Sequence, residues 1–177
     1  DVDATSAIIT ENDIAGGYRG INLRYDSSSS TISNNVIHDN TVGIKVSSSR
    51  NNTISNNEIH ENETGIGFGE GGSGDVSGNE ITGNNIHNND SSGIDTTGGS
   101  EITFTELTIS DNQITDNANY GIYFNKISNA TLTISLNDIT GNGSQGIYLS
   151  GGDEGISSST VLLKNNTISS NSYEGIY

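Results

Sequence analysis

The three histidines of the chain share one place in a recurring phrase, and acidic residues stand beside two of them. His38, His60 and His87 each follow an isoleucine and stand two residues before an asparagine, and Asp39 and Glu61 directly follow the first two histidines. Imidazole nitrogens combined with a carboxylate suit Zn²⁺, Ni²⁺ or Cu²⁺. The pattern therefore predicts a divalent-metal site at these five residues, provided that the fold brings them together. A solvated row of histidines, copied by repeat duplication, is the alternative.

The phrase belongs to a repeat that runs through the sequence. Gly-Ile recurs every 22 to 29 residues, and another isoleucine stands seven or eight residues before the isoleucine of each pair. A third apolar position lies five residues further upstream, at Ile9, Ile32, Ile54, Ile109, Ile134 and Leu163. Asparagine stands two residues before the middle isoleucine, at Asn12, Asn35, Asn57, Asn84, Asn112, Asn137 and Asn166. It also stands three residues after that isoleucine, at Asn40, Asn62, Asn89, Asn117, Asn142 and Asn171, whereas the first copy has Gly17 there.

Each repeat reads as T-I-S, then N-x-I-x-x-N, then G-I-x-[apolar], which is typical of three short strands separated by turns. Three strands per repeat predict one coil of a parallel β-helix, which is right-handed by the usual crossover rule. The predicted fold class is all-β, a single-stranded parallel β-helix of about seven coils that fills residues 1–177 as one domain. Apolar residues make up only 29% of the chain, but a narrow repeated core needs few of them.

The fourth copy is irregular. Val76 stands five residues before Ile81, and Asn79 and Asn84 flank Ile81 as they would in another copy of the motif. This overlap predicts a five-residue insertion near residues 79–84. Longer Gly- and Ser-rich segments, at residues 25–30, 69–75, 96–106 and 150–159, are predicted to follow the third strand on one side of the rod.

The phrases N-x-I-x-x-N and G-I-x-[apolar] resemble the parallel β-helix repeat family over nearly all of the chain. That resemblance implies secreted or cell-surface proteins, carbohydrate-active β-helix enzymes, or NosD-type periplasmic proteins of copper-enzyme maturation. It is specific for fold and weak for function, because the motif residues are core and turn residues.

The repeat also predicts which way side chains point. If the middle isoleucines point inward, His38, His60 and His87 point outward on successive coils, about 4.8 Å apart. The motif asparagines point inward at the bends, where their amides can hydrogen-bond from coil to coil.

The position after Gly-Ile forms a second outward row, which contains Asn22, Lys45, Gly67, Asp95, Tyr123, Tyr148 and Tyr177. Aromatic side chains in such a row can dock sugar rings, so Tyr123, Tyr148 and Tyr177 are the predicted carbohydrate-binding residues. Strand-favouring surface residues are the alternative. Lys45 and Asp95, two coils apart, are expected to form an ordinary surface charge pair.

Composition excludes several partners. A net charge of -16 with only six basic residues argues against nucleic acid and against anionic membrane surfaces. No apolar run approaches the ~20 residues of a membrane span, so direct membrane insertion is not expected. The sequence requires no cofactor, although its carboxylates could bind Ca²⁺ or another divalent cation.

The predicted function is an extracellular or cell-surface structural or binding module, since no phrase of paired aspartates or lyase-type bases occurs. The chain ends at Gly175-Ile176-Tyr177 without an obvious cap. Uncapped coils expose strand edges, which predicts either a longer parent chain or copies associated end to end. A carbohydrate-binding or polysaccharide-processing β-helix, whether a lyase or a hydrolase, is the alternative, and metal binding at the histidines is the third possibility.

Overall fold

The computed structural model describes residues 1–24, 27–69, 75–96, 104–125, 127, 129–151 and 158–177. In chain order its strands are β1 (Ile8–Thr10), β2 (Asp13–Ala15), β3 (Arg19–Leu23), β4 (Thr31–Ser33), β5 (Val36–His38), β6 (Val42–Val46), β7 (Thr53–Ser55), β8 (Glu58–His60), β9 (Thr64–Phe68), β10 (Asn79–Thr82), β11 (Asn85–His87), β12 (Ile94–Thr96), β13 (Leu107–Ser110), β14 (Gln113–Thr115), β15 (Ile122–Phe124), β16 (Thr131–Ser135), β17 (Asp138–Thr140), β18 (Ile147–Leu149), β19 (Thr160–Lys164) and β20 (Thr167–Ser169).

The strands form three parallel sheets, because each coil contributes one strand to each sheet. The first sheet has the order β1-β4-β7-β10-β13-β16-β19, the second β2-β5-β8-β11-β14-β17-β20, and the third β3-β6-β9-β12-β15-β18. Six complete coils are followed by a seventh that adds β19 and β20 and a single bridge from Ile176 to Ile147. The predicted all-β parallel β-helix is confirmed, with a coil count close to the expected seven.

The core is a stack of aliphatic side chains in exact register. In the first sheet Ile9, Ile32, Ile54, Ile81, Ile109, Ile134 and Leu163 pair from coil to coil. The middle isoleucines of the motif do the same in the second sheet, from Ile14 to Ile168. From the second coil to the sixth these isoleucines are fully buried, so one repeated residue type supplies most of the apolar burial that drives folding.

The insertion predicted near residues 79–84 is wrong. Ile81, not Val76, pairs with Ile54, and the strand that contains Ile81 follows the ordinary spacing into the second sheet. The extra residues of this coil therefore lie before Asn79. Asn79 resembled a motif asparagine because it belongs to a short asparagine ladder of its own at the third corner. There its Oδ1 accepts hydrogen bonds from the backbone N–H and the side chain of Asn52.

Two long asparagine ladders line the other corners. From Asn12 to Asn166, each Nδ2 donates to the Oδ1 of the next coil at 3.0 Å. From Asn40 to Asn171 the corresponding distances are 2.8 to 3.1 Å. Each asparagine backbone N–H donates to the same Oδ1, and side chains such as those of Asn57 and Asn89 also donate to an isoleucine carbonyl one coil back along the stack. These bonds satisfy backbone groups that the corners would otherwise leave buried and unpaired.

Close packing between coils explains why glycine stands before isoleucine in each Gly-Ile pair, which the repeat pattern alone does not reveal. A Cβ added to Gly65 would lie 2.5 Å from the carbonyl oxygen of Gly93 and 2.9 Å from Cγ2 of Ile86. The coils approach too closely there for any side chain.

The residue before each ladder asparagine turns the corner with a positive φ, as in Asn34, Asp39 and Glu61, where φ is 56°, 53° and 53°. Left-handed backbone favours Asn, Asp and Gly.

The long segments predicted after the third strand fall largely outside the described residues. Within the described part of the chain, no helix is long and apolar enough to span a membrane.

Candidate functional site

The three histidines form a stacked row on the outer face of the second sheet. His38 pairs with His60, and His60 with His87, on adjacent strands. Their ring centroids are 5.3 and 5.2 Å apart, and the ring planes differ by 5° and 9°. The side chains are 20 to 24% exposed, because each ring covers its neighbour.

Carboxylates surround this histidine row, but as hydrogen-bond partners. His38 contacts Asp39 through Nδ1 at 2.7 Å and Asp13 through Nε2 at 2.9 Å. These two hydrogen bonds, first that of Asp39, raise the pKa of His38 above its ordinary value. Nδ1 of His60 lies 3.3 Å from Glu61, and Nε2 of His87 lies 3.6 Å from Glu58.

The stacked geometry does not direct the imidazoles to one ion. A nitrogen lone pair lies in the plane of its ring, so near-parallel rings aim their lone pairs along separate planes. Among the residues that the structure describes, no three His, Asp or Glu side chains converge as a metal site. Metal binding by His38, His60, His87, Asp39 and Glu61 stays a prediction, and it would require at least one ring to leave the stack.

The row after Gly-Ile lies on the outer face of the third sheet. The strand pairing runs Asn22, Lys45, Gly67, Asp95, Tyr123 and Tyr148 without a break. Tyr177 continues the row, because its ring stacks on Tyr148 at 4.8 Å with the planes 12° apart. The three tyrosines singled out from the sequence are therefore neighbours on the last coils.

A fourth tyrosine joins them. Tyr120 contacts Tyr123 and Tyr148, with centroids 4.8 and 5.5 Å away, and Tyr123 lies 5.1 Å from Tyr148. The repeat pattern does not single out Tyr120, which stands just before Gly121. The available signal was the lengthening of the motif spacing from seven to eight residues, which adds a residue at this place. We call Tyr120, Tyr123, Tyr148 and Tyr177 the tyrosine surface.

Within the tyrosine surface, Tyr148 stacks between Tyr123 and Tyr177, so neighbouring rings cover both of its faces. Along this stack the contact atoms for a ligand are ring edges and phenol hydroxyls, which donate and accept hydrogen bonds. Tyr177 is 61% exposed, and the other three rings are half-buried. The pKa of Tyr123 is raised, chiefly by burial and then by the neighbouring Tyr148.

Lys45 and Asp95 are not the surface pair expected from the sequence. The Lys45 residue is only 1% exposed. Burial, helped by the charge of Arg19, lowers the pKa of Lys45 to about 8. Burial also raises the pKa of Asp95 to about 6, although the charge of Lys45 opposes that shift. The outward direction was predicted correctly, but burial of an outward side chain depends on what covers it, which a repeat pattern does not specify.

Asp95 also carries an unsatisfied acceptor. Its Oδ1 is buried without a hydrogen-bond partner in the described structure. It lies at the head of the tyrosine surface, since Asp95 and Tyr123 are paired on adjacent strands.

An acidic groove of about 560 Å³ lies at the corners between the second and third sheets, where it is lined by residues such as Asn40 and Thr41. Its carboxylates are those of Asp39, Glu61, Glu63 and Asp90, and Tyr18 also lines it. Glu63 is close enough to Asp95 to contribute to the rise in its pKa.

The family model described as "Right handed beta helix region" matches residues 2–132 and 75–161, which together cover most of the chain. The chain belongs to the right-handed β-helix family. The handedness expected from the crossover rule and the resemblance seen in the repeat are thereby confirmed.

Solved structures of this fold include polysaccharide enzymes and an adhesin. The periplasmic alginate epimerase AlgG superposes with a TM-score of 0.73 at 23% identity, over 90% of this chain and 39% of the epimerase. The alginate lyase from Paenibacillus sp. str. FPU-7 gives 0.59 at 14% identity, over 96% of this chain and 72% of the lyase. The Streptococcus pneumoniae surface protein and adhesin PfbA gives 0.54 at 13% identity, over 97% of this chain and 66% of PfbA.

These likenesses show the fold alone, and the β-helix spans about two fifths of the length of the epimerase. No curated protein matches the sequence.

Proposed function

We propose that this β-helix binds a polysaccharide across the outer face of its third sheet, at the tyrosine surface. The observation that carries the proposal is the contact of four tyrosine rings on consecutive coils. Tyrosine combines an apolar body with a polar tip, which suits the alternating C–H and O–H surfaces of a sugar. A row of rings along the rod matches an extended polymer better than a small molecule.

The solved neighbours support this proposal by analogy. Two of them are named for their action on alginate, and their coils superpose on most of this chain. One neighbour is periplasmic and another is a surface protein. In line with these neighbours, we propose that the β-helix acts outside the cytoplasm, as a secreted or cell-surface protein.

Binding is a better proposal than catalysis for the part of the third sheet that the structure describes. Perturbed pKa values, such as those of Lys45 and Asp95, often mark catalytic groups. Lys45 is only 1% exposed, so its amine is not accessible to a polymer on the outer face. A general base must come within hydrogen-bond reach of its substrate.

The experiment is affinity electrophoresis of the purified chain in gels that contain neutral, acidic or amino polysaccharides. Retardation in at least one gel is expected. The variant Tyr148→Ala removes the ring that contacts the other three, and it should weaken binding roughly ten-fold through lost contacts. Tyr173→Ala is the matched control, because Tyr173 is 67% exposed and lies outside the tyrosine surface. Equal retardation of both variants would reject the tyrosine surface as the binding face.

The structural role expected from the sequence, with copies associated end to end, stays a prediction. Apolar side chains are exposed on the first and last coils, with Ile8 76%, Leu162 48% and Ile176 51% exposed. Sedimentation velocity over a range of concentrations tests it, since elongated oligomers would support association and a constant monomer would oppose it.

A further inference from the structure

Two rings of the tyrosine surface are held in contact by the backbone of neighbouring coils. Tyr148 and Tyr177 stack with their centroids 4.8 Å apart and their planes 12° apart. The amide of Tyr177 donates to the carbonyl of Ile147 at 2.9 Å, and the amide of Leu149 donates to the carbonyl of Tyr177 at 3.0 Å. Because these bonds keep the two phenols together, a reaction between them is intramolecular and requires no collision between molecules.

Tyrosine is the main oxidisable side chain of this protein. The sequence has seven tyrosines and no cysteine, methionine or tryptophan. Thiols and thioethers are common targets of oxidants, and the indole of tryptophan is the other aromatic group that readily loses an electron. Without these competitors, one-electron oxidation of the chain is directed to its tyrosines.

The tyrosines differ in their access to solvent and in their ring contacts. Tyr177 is 61% exposed, whereas Tyr148 is half-buried. An oxidant in solution therefore reaches Tyr177 most easily, and the ring that Tyr177 contacts is that of Tyr148. Tyr18 and Tyr173 are also exposed, but within the described part of the chain neither ring contacts another tyrosine.

We propose that Tyr148 and Tyr177 form an oxidative cross-linking site, at which a haem peroxidase and hydrogen peroxide join the two rings as dityrosine. The new bond ties β18 to the last coil, which pairs with β18 through the single bridge between Ile147 and Ile176. The cross-link does not depend on sugar binding by the tyrosine surface, so failure of either proposal leaves the other standing.

The reaction balances with hydrogen peroxide as the oxidant. Each phenol gives up one electron and one proton and becomes a phenoxyl radical. The two radicals couple through carbon atoms ortho to the oxygens, which forms one C–C bond. The hydrogen on each of these carbons then moves to the oxygen of its own ring and restores the phenol. Hydrogen peroxide accepts the two electrons and two protons and is reduced to two molecules of water.

The test treats the purified chain, at low protein concentration, with haem peroxidase and hydrogen peroxide. Dityrosine fluorescence should appear in a product that stays monomeric in denaturing electrophoresis, and peptide mass spectrometry should find Tyr148 joined to Tyr177. Tyr148→Phe and Tyr177→Phe keep a ring at each position but remove the phenol, so each should lose most of this product. Tyr173→Phe is the matched control and should keep the product, since Tyr173 is 67% exposed and lies outside the tyrosine surface.

The cross-link should also stabilise the folded protein. A bond between Tyr148 and Tyr177 closes a loop in the unfolded chain, so the treated monomer should unfold at a temperature roughly 10 °C above that of the untreated one. Treated Tyr148→Phe should show no such shift, which separates the effect of the cross-link from other effects of peroxide.

Three results would overturn the proposal. Dityrosine found only in covalent dimers, with a yield that rises with protein concentration, would place the coupling between molecules. A monomeric product that survives Tyr148→Phe would place the bond on another pair of rings. No dityrosine at all, under conditions in which the same peroxidase couples free tyrosine, would show that the stacked rings do not reach bonding geometry.

Discussion

The asparagine ladders and the tyrosine surface run along the same axis of the β-helix. Hydrogen bonds, of 3.0 Å between Asn57 and Asn84, link the asparagines, and ring contacts link the tyrosines. The row from Asn12 to Asn166 continues through all seven coils, whereas the tyrosines cover only the last three. An interior row must repeat, because every coil buries the same backbone groups. An exterior row is under no such constraint. A short exterior row therefore carries more information about function than a complete interior one.

Removing one interior amide should have the largest effect of all. In Asn89→Ala, the backbone N–H and side chain of Asn62 lose their acceptor and the carbonyl of Ile59 loses a donor. Each unsatisfied buried group costs about 1–3 kcal/mol, so the free energy of unfolding should fall by about 3 kcal/mol or more. Urea denaturation measures it. Asn171→Ala, at the partly exposed end of the ladder, is the control and should cost less.

This interior order is the part of the molecule that the sequence predicted well. The isoleucine register and the direction of the histidine and tyrosine rows follow from period-two alternation and from repeat spacing. The stacking of His38 on His60, the burial of Lys45 and the contacts of Tyr120 do not. They depend on side-chain conformation and on cover from other coils, and neither repeats.

A methyl group at a coil contact should have the next largest effect. Gly65→Ala places Cβ 2.5 Å from a backbone carbonyl oxygen, which the chain can relieve only by moving a coil. Overpacking of this kind costs about 1–3 kcal/mol. Gly175→Ala is the matched control, since its nearest atom would be 3.3 Å away. Equal thermal unfolding of the two variants would contradict the packing argument.

Asp95 sharpens the comparison, because the burial of this carboxyl in an exterior row destabilises the folded protein at neutral pH. Its pKa is raised from 3.8 to about 6 by burial, so the folded state disfavours the ionised form. The resulting stability is complete at pH values below 3.8 and is lost as the pH rises through about 6. Asp95→Asn should therefore raise the free energy of unfolding at neutral pH by ~1 kcal/mol. The gain should vanish in acid, and denaturant curves at both pH values check it.

The histidine row should give smaller, local effects. The raised pKa of His38 stabilises the fold below the ordinary value of 6.5, and this stabilisation is lost as the pH rises through the pKa of the folded protein. NMR titration should show His38 with a pKa above the ordinary value. Asp39→Asn should lower it, since Asp39 contributes the largest part of the shift. An unchanged titration would contradict the role given to Asp39.

The smallest effect concerns metal. Because the rings are stacked and do not converge on one ion, His60→Ala should change the affinity for Zn²⁺ by less than roughly two-fold. A ten-fold change in affinity corresponds to ~1.4 kcal/mol, so the expected change in binding free energy is well below that value. A much larger loss in a calorimetric titration would show that the rings leave the stack to bind an ion.

The most direct measurement for the central claim is tyrosine fluorescence during titration with sugar polymers. The chain has seven tyrosines and no tryptophan, and four of the seven form the tyrosine surface. Binding at this surface predicts a saturable change in emission, whose midpoint Tyr148→Ala moves to a roughly ten-fold higher polymer concentration and Tyr173→Ala leaves in place. Saturable binding without any change in tyrosine emission, or with the same midpoint in both variants, would place the ligand elsewhere and contradict the account.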